Sequence, residues 1–156
     1  MKNISGIIGI IRELEALSND KIIPISVDFD STVVISKFPN VGVENGNCVD
    51  ILKRWIKEFN VGIILCTMRD GKYLEEAVNW FKERDIPLYG IGKHPTQHLW
   101  TTSVNCWSIF SIDDHNVGIP LINDENSGKL CVDWEMTNYI LEPILQEINE
   151  KWKQKS

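Results

Sequence analysis

Apolar residues are arranged along the chain in two ways: as short, mainly apolar blocks, and between them as positions recurring every three or four residues. The blocks at residues 22–29, 61–66, 86–91 and 107–112 are too short for helices. They predict strands covered on both faces, as in a parallel sheet. Ile51, Leu52, Trp55, Ile56 and Phe59 have helical spacing and predict a helix over residues 49–59. Leu74, Ala77, Val78 and Phe81 do the same for residues 72–84. Strand and helix in alternation predict an α/β fold: a Rossmann-like three-layer sandwich around a mainly parallel central sheet.

The ends of the chain extend this plan. Ile7, Ile11 and Leu14, widened by Ile8, Ile10 and Leu17, predict a leading helix within residues 1–20 with a broad buried face. Arg12, Glu13 and Glu15 break that apolar run too early for a secretory signal, and no small-residue cleavage site follows. Short apolar pieces at residues 119–122 and 130–132 either extend the sheet or form an edge hairpin around a turn at residues 124–128. A closing helix from Trp134 is expected to bury Tyr139, Ile140, Ile144, Leu145 and Ile148. Pro143 has no N–H for the carbonyl of Tyr139, which predicts a kink or break near Glu142. The expected organisation is one domain: leading helix 1–20, catalytic core 22–122, and C-terminal strand and helix 130–156.

Composition narrows the function classes. A chain of 156 residues suits one domain, and at that size folding hides about 68–70% of the unfolded chain's surface. No apolar run approaches the roughly 20 residues that span a bilayer, so a soluble cytoplasmic protein is expected. A net charge of −6 argues against nucleic-acid backbones as indiscriminate partners, leaving nucleotides or nucleic-acid ends open. Cys48, Cys66, Cys106 and Cys131 lack zinc-site spacing and read as reduced core residues. The six tryptophans read as core, and the apolar leading helix leaves a homo-oligomer possible.

Three of the apolar blocks end in polar side chains that can serve one reaction. The first closes in Asp28-Phe29-Asp30-Ser31-Thr32, the second at Thr67, the fourth at Asp113-Asp114. In an open parallel sheet, ligands bind beyond the carboxyl ends of the strands, where these residues fall. A carboxylate such as Asp28 is an adequate nucleophile for phosphorus, and the acyl phosphate it forms is readily attacked by water. Of Asp28 and Asp30, one can attack phosphorus while the other protonates the departing oxygen. Bringing a carboxylate to a phosphate dianion costs roughly 4 kcal/mol per unit pair at 4 Å and an effective dielectric of 20. A cation is therefore required, and magnesium, with its preference for oxygen ligands, fits Asp28, Asp30, Asp113 and Asp114. Thr67 can donate its hydroxyl to a phosphoryl oxygen.

In these residues the sequence resembles the haloacid dehalogenase superfamily. Asp28, Asp30 and Thr32 match its first motif, Thr67 its second, and Asp113 with Asp114 its fourth; the resemblance runs over residues 22–122. It implies that Asp28 is the nucleophile and Asp30 the general acid and base. It further implies that Asp28, the backbone carbonyl of Asp30 and Asp113 hold magnesium, and that the Asp28 strand is central in the sheet. Phe38-Pro39-Asn40-Val41-Gly42, Thr67-x-Arg69-Asp70-Gly71 and the Ile112 to Gly118 stretch look like a small bacterial subgroup without a large cap domain. Substrate selection then falls to loops, another subunit or a macromolecular substrate, with residues 33–47 as the candidate lid and Phe38 as a candidate contact.

The superfamily's third motif, a lysine before the last core strand, has no counterpart, since the neighbourhood reads Ser103-Val104-Asn105-Cys106. Arg69 is the nearer candidate for a phosphate contact and Lys93 the more distant charge replacement, with Asn105 as an uncharged donor. His94 and His98 lack a third zinc ligand; His115 adjoins the acidic pair; Cys66 is followed six positions later by Lys72, not the Arg of cysteine phosphatases. The expected function is magnesium-dependent hydrolysis of a small phosphate ester through an aspartyl phosphate. The alternative is a noncatalytic phosphate- or metal-binding module. A receiver-like switch is disfavoured because receivers place the acidic pair on the first strand and the phosphoacceptor on a middle one.

Overall fold

The structure is a computed structural model that describes residues 4–18 and 20–155. Of the expected leading segment, residues 1–3 and 19 lie outside the described residues. Helix α1 (Ile4–Leu17) buries Ile7, Ile11 and Leu14 but exposes Ile8, so its buried stripe is narrower than its composition suggests. Among the described residues no helix is long and apolar enough to cross a membrane.

Strand β1 (Ile23–Val27) and strand β2 (Val61–Leu65) are buried at every position, which is why they read as solid apolar blocks. Helix α2 (Cys48–Phe59) joins them, and helix α3 (Gly71–Glu83) leads from β2 to strand β3 (Leu88–Ile91). β3 starts two residues later than its apolar block because Pro87 has no N–H for a ladder. Strand β4 (Phe110–Ile112) is half the expected length, although Ile109 N still donates to the Pro24 carbonyl at 2.9 Å. The four strands form one parallel sheet in the order β3-β2-β1-β4, with Ile25 opposite both Ile63 and Phe110. Helices flank this sheet in a Rossmann-like α/β sandwich.

That order positions the site. From β1 the chain steps through β2 to β3 in one direction, then returns to place β4 on β1's other side. The reversal opens a crevice at the carboxyl ends of β1 and β4. Phe29 anchors that end from below, with its ring edge-on to Trp80 at 5.7 Å and against Phe81 at 6.2 Å.

The later chain settles one open alternative and departs from expectation in its closing helix. Strands β5 (Leu121–Asn123) and β6 (Leu130–Val132) pair antiparallel as a separate hairpin and do not extend the main sheet. Helix α4 (Trp134–Gln154) runs unbroken through Pro143. An interior proline costs about 3 kcal/mol, and burial of Leu145, Ile148 and Trp152 beyond it, at about 1.5–3 kcal/mol for each large side chain, offsets that. Finally, Tyr139 is 77% exposed and Ile140 is also exposed, because Trp134 and Thr137 set the buried face a fraction of a turn away. Asp133 caps this helix, accepting from Met136 N at 3.0 Å.

Candidate functional site

The site begins where β1 leaves its ladder. Asp28 N still donates to the Ile112 carbonyl at 2.9 Å, so Asp28 is fixed by the strand next to it. Side-chain alternation persists past the ladder: Phe29 points into the core, while Asp28 and Asp30 line one cavity of about 480 Å³. The chain then turns sharply. Ser31 adopts a left-handed φ of 58°, and the N–H groups of Thr32, Val33 and Val34 all converge on the Phe29 carbonyl. This turn is held from behind by Trp134 Nε1 and Asn45 Nδ2, which donate to the Thr32 carbonyl at 2.7 and 2.9 Å, and by Val132 N, which donates to the Ser31 carbonyl at 3.0 Å. Thr32 Oγ1 reaches back to Asp28 Oδ2 at 3.4 Å.

β2 delivers Thr67 to the same cavity. Its Oγ1 accepts from Arg69 N at 3.2 Å, which leaves the hydroxyl hydrogen free to donate. Arg69 is more deeply committed. Its side chain is only 1% exposed. Nε donates to Asp30 Oδ2 at 2.6 Å and Nη2 to Asp30 Oδ1 at 2.8 Å, a bidentate charge-assisted pair. Nη2 also donates to the Asn40 carbonyl at 2.9 Å and Nη1 to the Pro39 carbonyl at 3.1 Å. Its Cζ lies 5.0 Å from the Phe29 ring centroid and 5.2 Å from that of Phe38. Four of the five guanidinium hydrogens are thus used within the protein, leaving one for any phosphate contact.

The end of β4 supplies the opposite wall. Asp113, Asp114 and His115 carry ligand atoms within 4.8 Å of one another. Asp113 Oδ1 accepts from His115 N at 2.9 Å, whereas buried Asp114 Oδ1 has no hydrogen-bond partner, its nearest cationic candidate being His115 Nδ1 at 3.5 Å. Burial pushes the Asp28 carboxyl up to about 7, opposed by the Phe29 N–H and reinforced by the negative charges of Asp113, Asp114 and Asp30. Burial also raises the Asp114 carboxyl, with His115 acting against it. Carboxylates that repel each other around an orphaned buried oxygen are a donor set suited to a hard divalent cation, and Asp28, Asp113 and Asp114 are the residues that could hold one.

Asp28, Asp30, Thr67, Arg69, Asp113 and Asp114 therefore meet at one rim. Lys93 does not join them. It is exposed beyond β3, and its backbone is folded against Gly90, where an added Cβ would stand 2.3 Å from the Lys93 carbonyl oxygen. Asn105 is exposed too, its carbonyl accepting from Gln97 Nε2 at 2.9 Å. Among the described residues, Arg69 is the one Lys or Arg in the lining. His94 is buried against Trp107 and Tyr89, with Nδ1 accepting from Thr96 N at 3.1 Å, a packing role. Ser31 of the first motif lines the cavity, and Ser36 and Met68, which no motif marks, join it. Their signal was only proximity to motif residues. Phe38, within the candidate lid at residues 33–47, borders the cavity.

No family model and no curated protein matches the chain. Among solved structures, it is similar to a conserved protein from Bacteroides thetaiotaomicron, with 31% sequence identity and a TM-score of 0.64 over 78% of this chain and 91% of that one. Identity at that level over nearly all of the other chain is a family relationship, and this chain belongs to the family of that conserved Bacteroides protein.

Proposed function

We propose that the protein is a magnesium-dependent phosphohydrolase that works through an aspartyl phosphate, as the resemblance to haloacid dehalogenases implies. The observation that carries this reading is the convergence of Asp28, Asp30, Thr67, Asp113 and Asp114, from three strand ends, on one cavity. Asp28 Oδ attacks phosphorus as the bond to the leaving oxygen breaks, and Asp30 gives that oxygen its proton. Water then attacks the same phosphorus, Asp30 takes its proton, and the bond to Asp28 breaks to release phosphate. Thr67 donates to a phosphoryl oxygen.

Both Asp30 oxygens accept from Arg69, which fixes the orientation of the carboxylate towards the cavity. Each oxygen keeps a second lone pair that can carry the proton in either role. Bound magnesium, held by Asp28, the Asp30 carbonyl and Asp113 as the resemblance implies, with Asp114 beside them, would neutralise the acidic cluster and the phosphate. The test is a phosphatase screen with magnesium on wild type beside Asp28→Asn. Turnover that disappears in the variant and in chelator is expected. Equal turnover in either would reject the mechanism.

The absence of an uncommitted Lys or Arg in the described lining favours one second reading, a noncatalytic phosphate- or metal-binding module. It predicts magnesium binding without turnover across the same panel.

A further inference from the structure

The cavity lining divides by exposure. Asp28, Asp30, Ser36, Thr67, Asp113 and Asp114 form a half-buried polar floor, whereas Phe38, Met68 and His115 stand exposed at the rim. Phe38 is 60% exposed and Met68 98%. A lone exposed apolar side chain needs no explanation, but Phe38 is held in place. Its ring lies 5.5 Å from Tyr73 and 5.2 Å from the Arg69 guanidinium carbon. Arg69 also donates to the carbonyls of the next two residues, Pro39 and Asn40. The same buried guanidinium that clamps Asp30 thus fixes an aromatic ring above the floor.

Resting on the phosphohydrolase reading, we propose that this cavity takes small phosphate monoesters whose leaving group carries a flat aromatic ring, with nucleoside monophosphates as the chemical class, and that Phe38 selects them by stacking. A ring already fixed by its neighbours loses little freedom when a second ring is laid on it. Met68 offers a soft apolar edge to the same group, and exposed His115 a second planar one. Polynucleotides are a poorer fit. Tracking a phosphate backbone calls for a basic groove, whereas the described lining holds one cation, already engaged by Asp30, on a chain of net charge −6.

Adenosine 5′-monophosphate and ribose 5-phosphate test this, because both transfer phosphorus from the same kind of primary oxygen and differ in the base. Wild type should show kcat/KM at least about tenfold higher for the nucleotide, the size expected of one stacked base. Phe38→Ala should collapse that ratio towards one, and Phe38→Tyr should keep it. A wild-type ratio near one, or a ratio that survives Phe38→Ala, overturns the proposal while leaving the phosphohydrolase reading intact. A phosphate-ended single-stranded oligonucleotide preferred over the mononucleotide overturns it as well. If neither ester turns over, the phosphohydrolase reading is left to the wider phosphatase screen. Calorimetric binding of the two esters to Asp28→Asn then decides the selection by itself: tighter nucleotide binding that Phe38→Ala abolishes upholds it, and equal binding rejects it.

Discussion

Asp28 and Asp30 are two residues apart and line one cavity, yet their surroundings are opposite. Both oxygens of Asp30 are satisfied by Arg69. Asp28 has a distant Thr32 hydroxyl and faces Asp113 and Asp114, whose charges add to burial in lifting its carboxyl to about 7. One half of the site is neutralised by the protein's own cation. In the other half, carboxylates face one another, and on the proposed reading a cation completes it. The proposed chemistry uses both: one carboxylate kept oriented and another left to meet a cation and a phosphate.

The largest expected effect lies on the satisfied side. Arg69→Ala would leave Asp30 unpaired and release the Pro39 and Asn40 carbonyls, and removing one member of a buried pair costs about 3–5 kcal/mol. Urea unfolding should register that loss. Arg69→Lys should recover only part, since lysine keeps the charge without the bidentate fork. A loss below about 1 kcal/mol would place Arg69 among ordinary surface ion pairs.

On the frustrated side the sign reverses. Because the folded state holds the Asp28 proton more tightly than the unfolded chain does, wild type in chelator should lose stability as pH rises from about 4, the unfolded value, to about 7. Asp28→Asn should abolish that slope and, at pH 8, be more stable than wild type by about 1–2 kcal/mol after allowance for partial solvent screening, a Tm rise of roughly 2–8 °C. Magnesium should raise the wild-type Tm and leave Asp28→Asn closer to unchanged. A destabilised Asp28→Asn protein would mean that the carboxylate is satisfied by its surroundings. The smallest effect belongs to Lys93→Ala, an exposed change outside the cavity, for which kcat/KM should stay within about twofold. A tenfold loss would bring Lys93 into the site.

Much of this was legible in the sequence because strand ends are local features. Burial on both faces makes β1 and β2 read as solid apolar blocks, and the residue at which each block stops marks where chemistry can sit. What could not be read depends on contacts far apart in the chain. The turn after Asp30 is fixed by Asn45, Val132 and Trp134, and the last of these lies 102 residues from its Thr32 acceptor. Arg69 reads as a phosphate contact because its sequence position puts it beside the strand that ends in Asp28. Only the fold of residues 31–47 shows that Asp30, Pro39 and Asn40 take up its donors. In α4, apolar residues occupy more than one face, so spacing alone could not say that Tyr139 and Ile140 turn outward while Trp134 turns in. Nor could it say that packing on both sides of Pro143 carries the helix through.

The central claim is that Asp28 forms a bond to phosphorus. Borohydride added during turnover reduces an acyl phosphate to an alcohol, so peptide mass spectrometry of wild type with magnesium and a phosphate ester should find homoserine at position 28. Steady turnover with Asp28 unmodified, or with the reduced residue found elsewhere, would contradict the account.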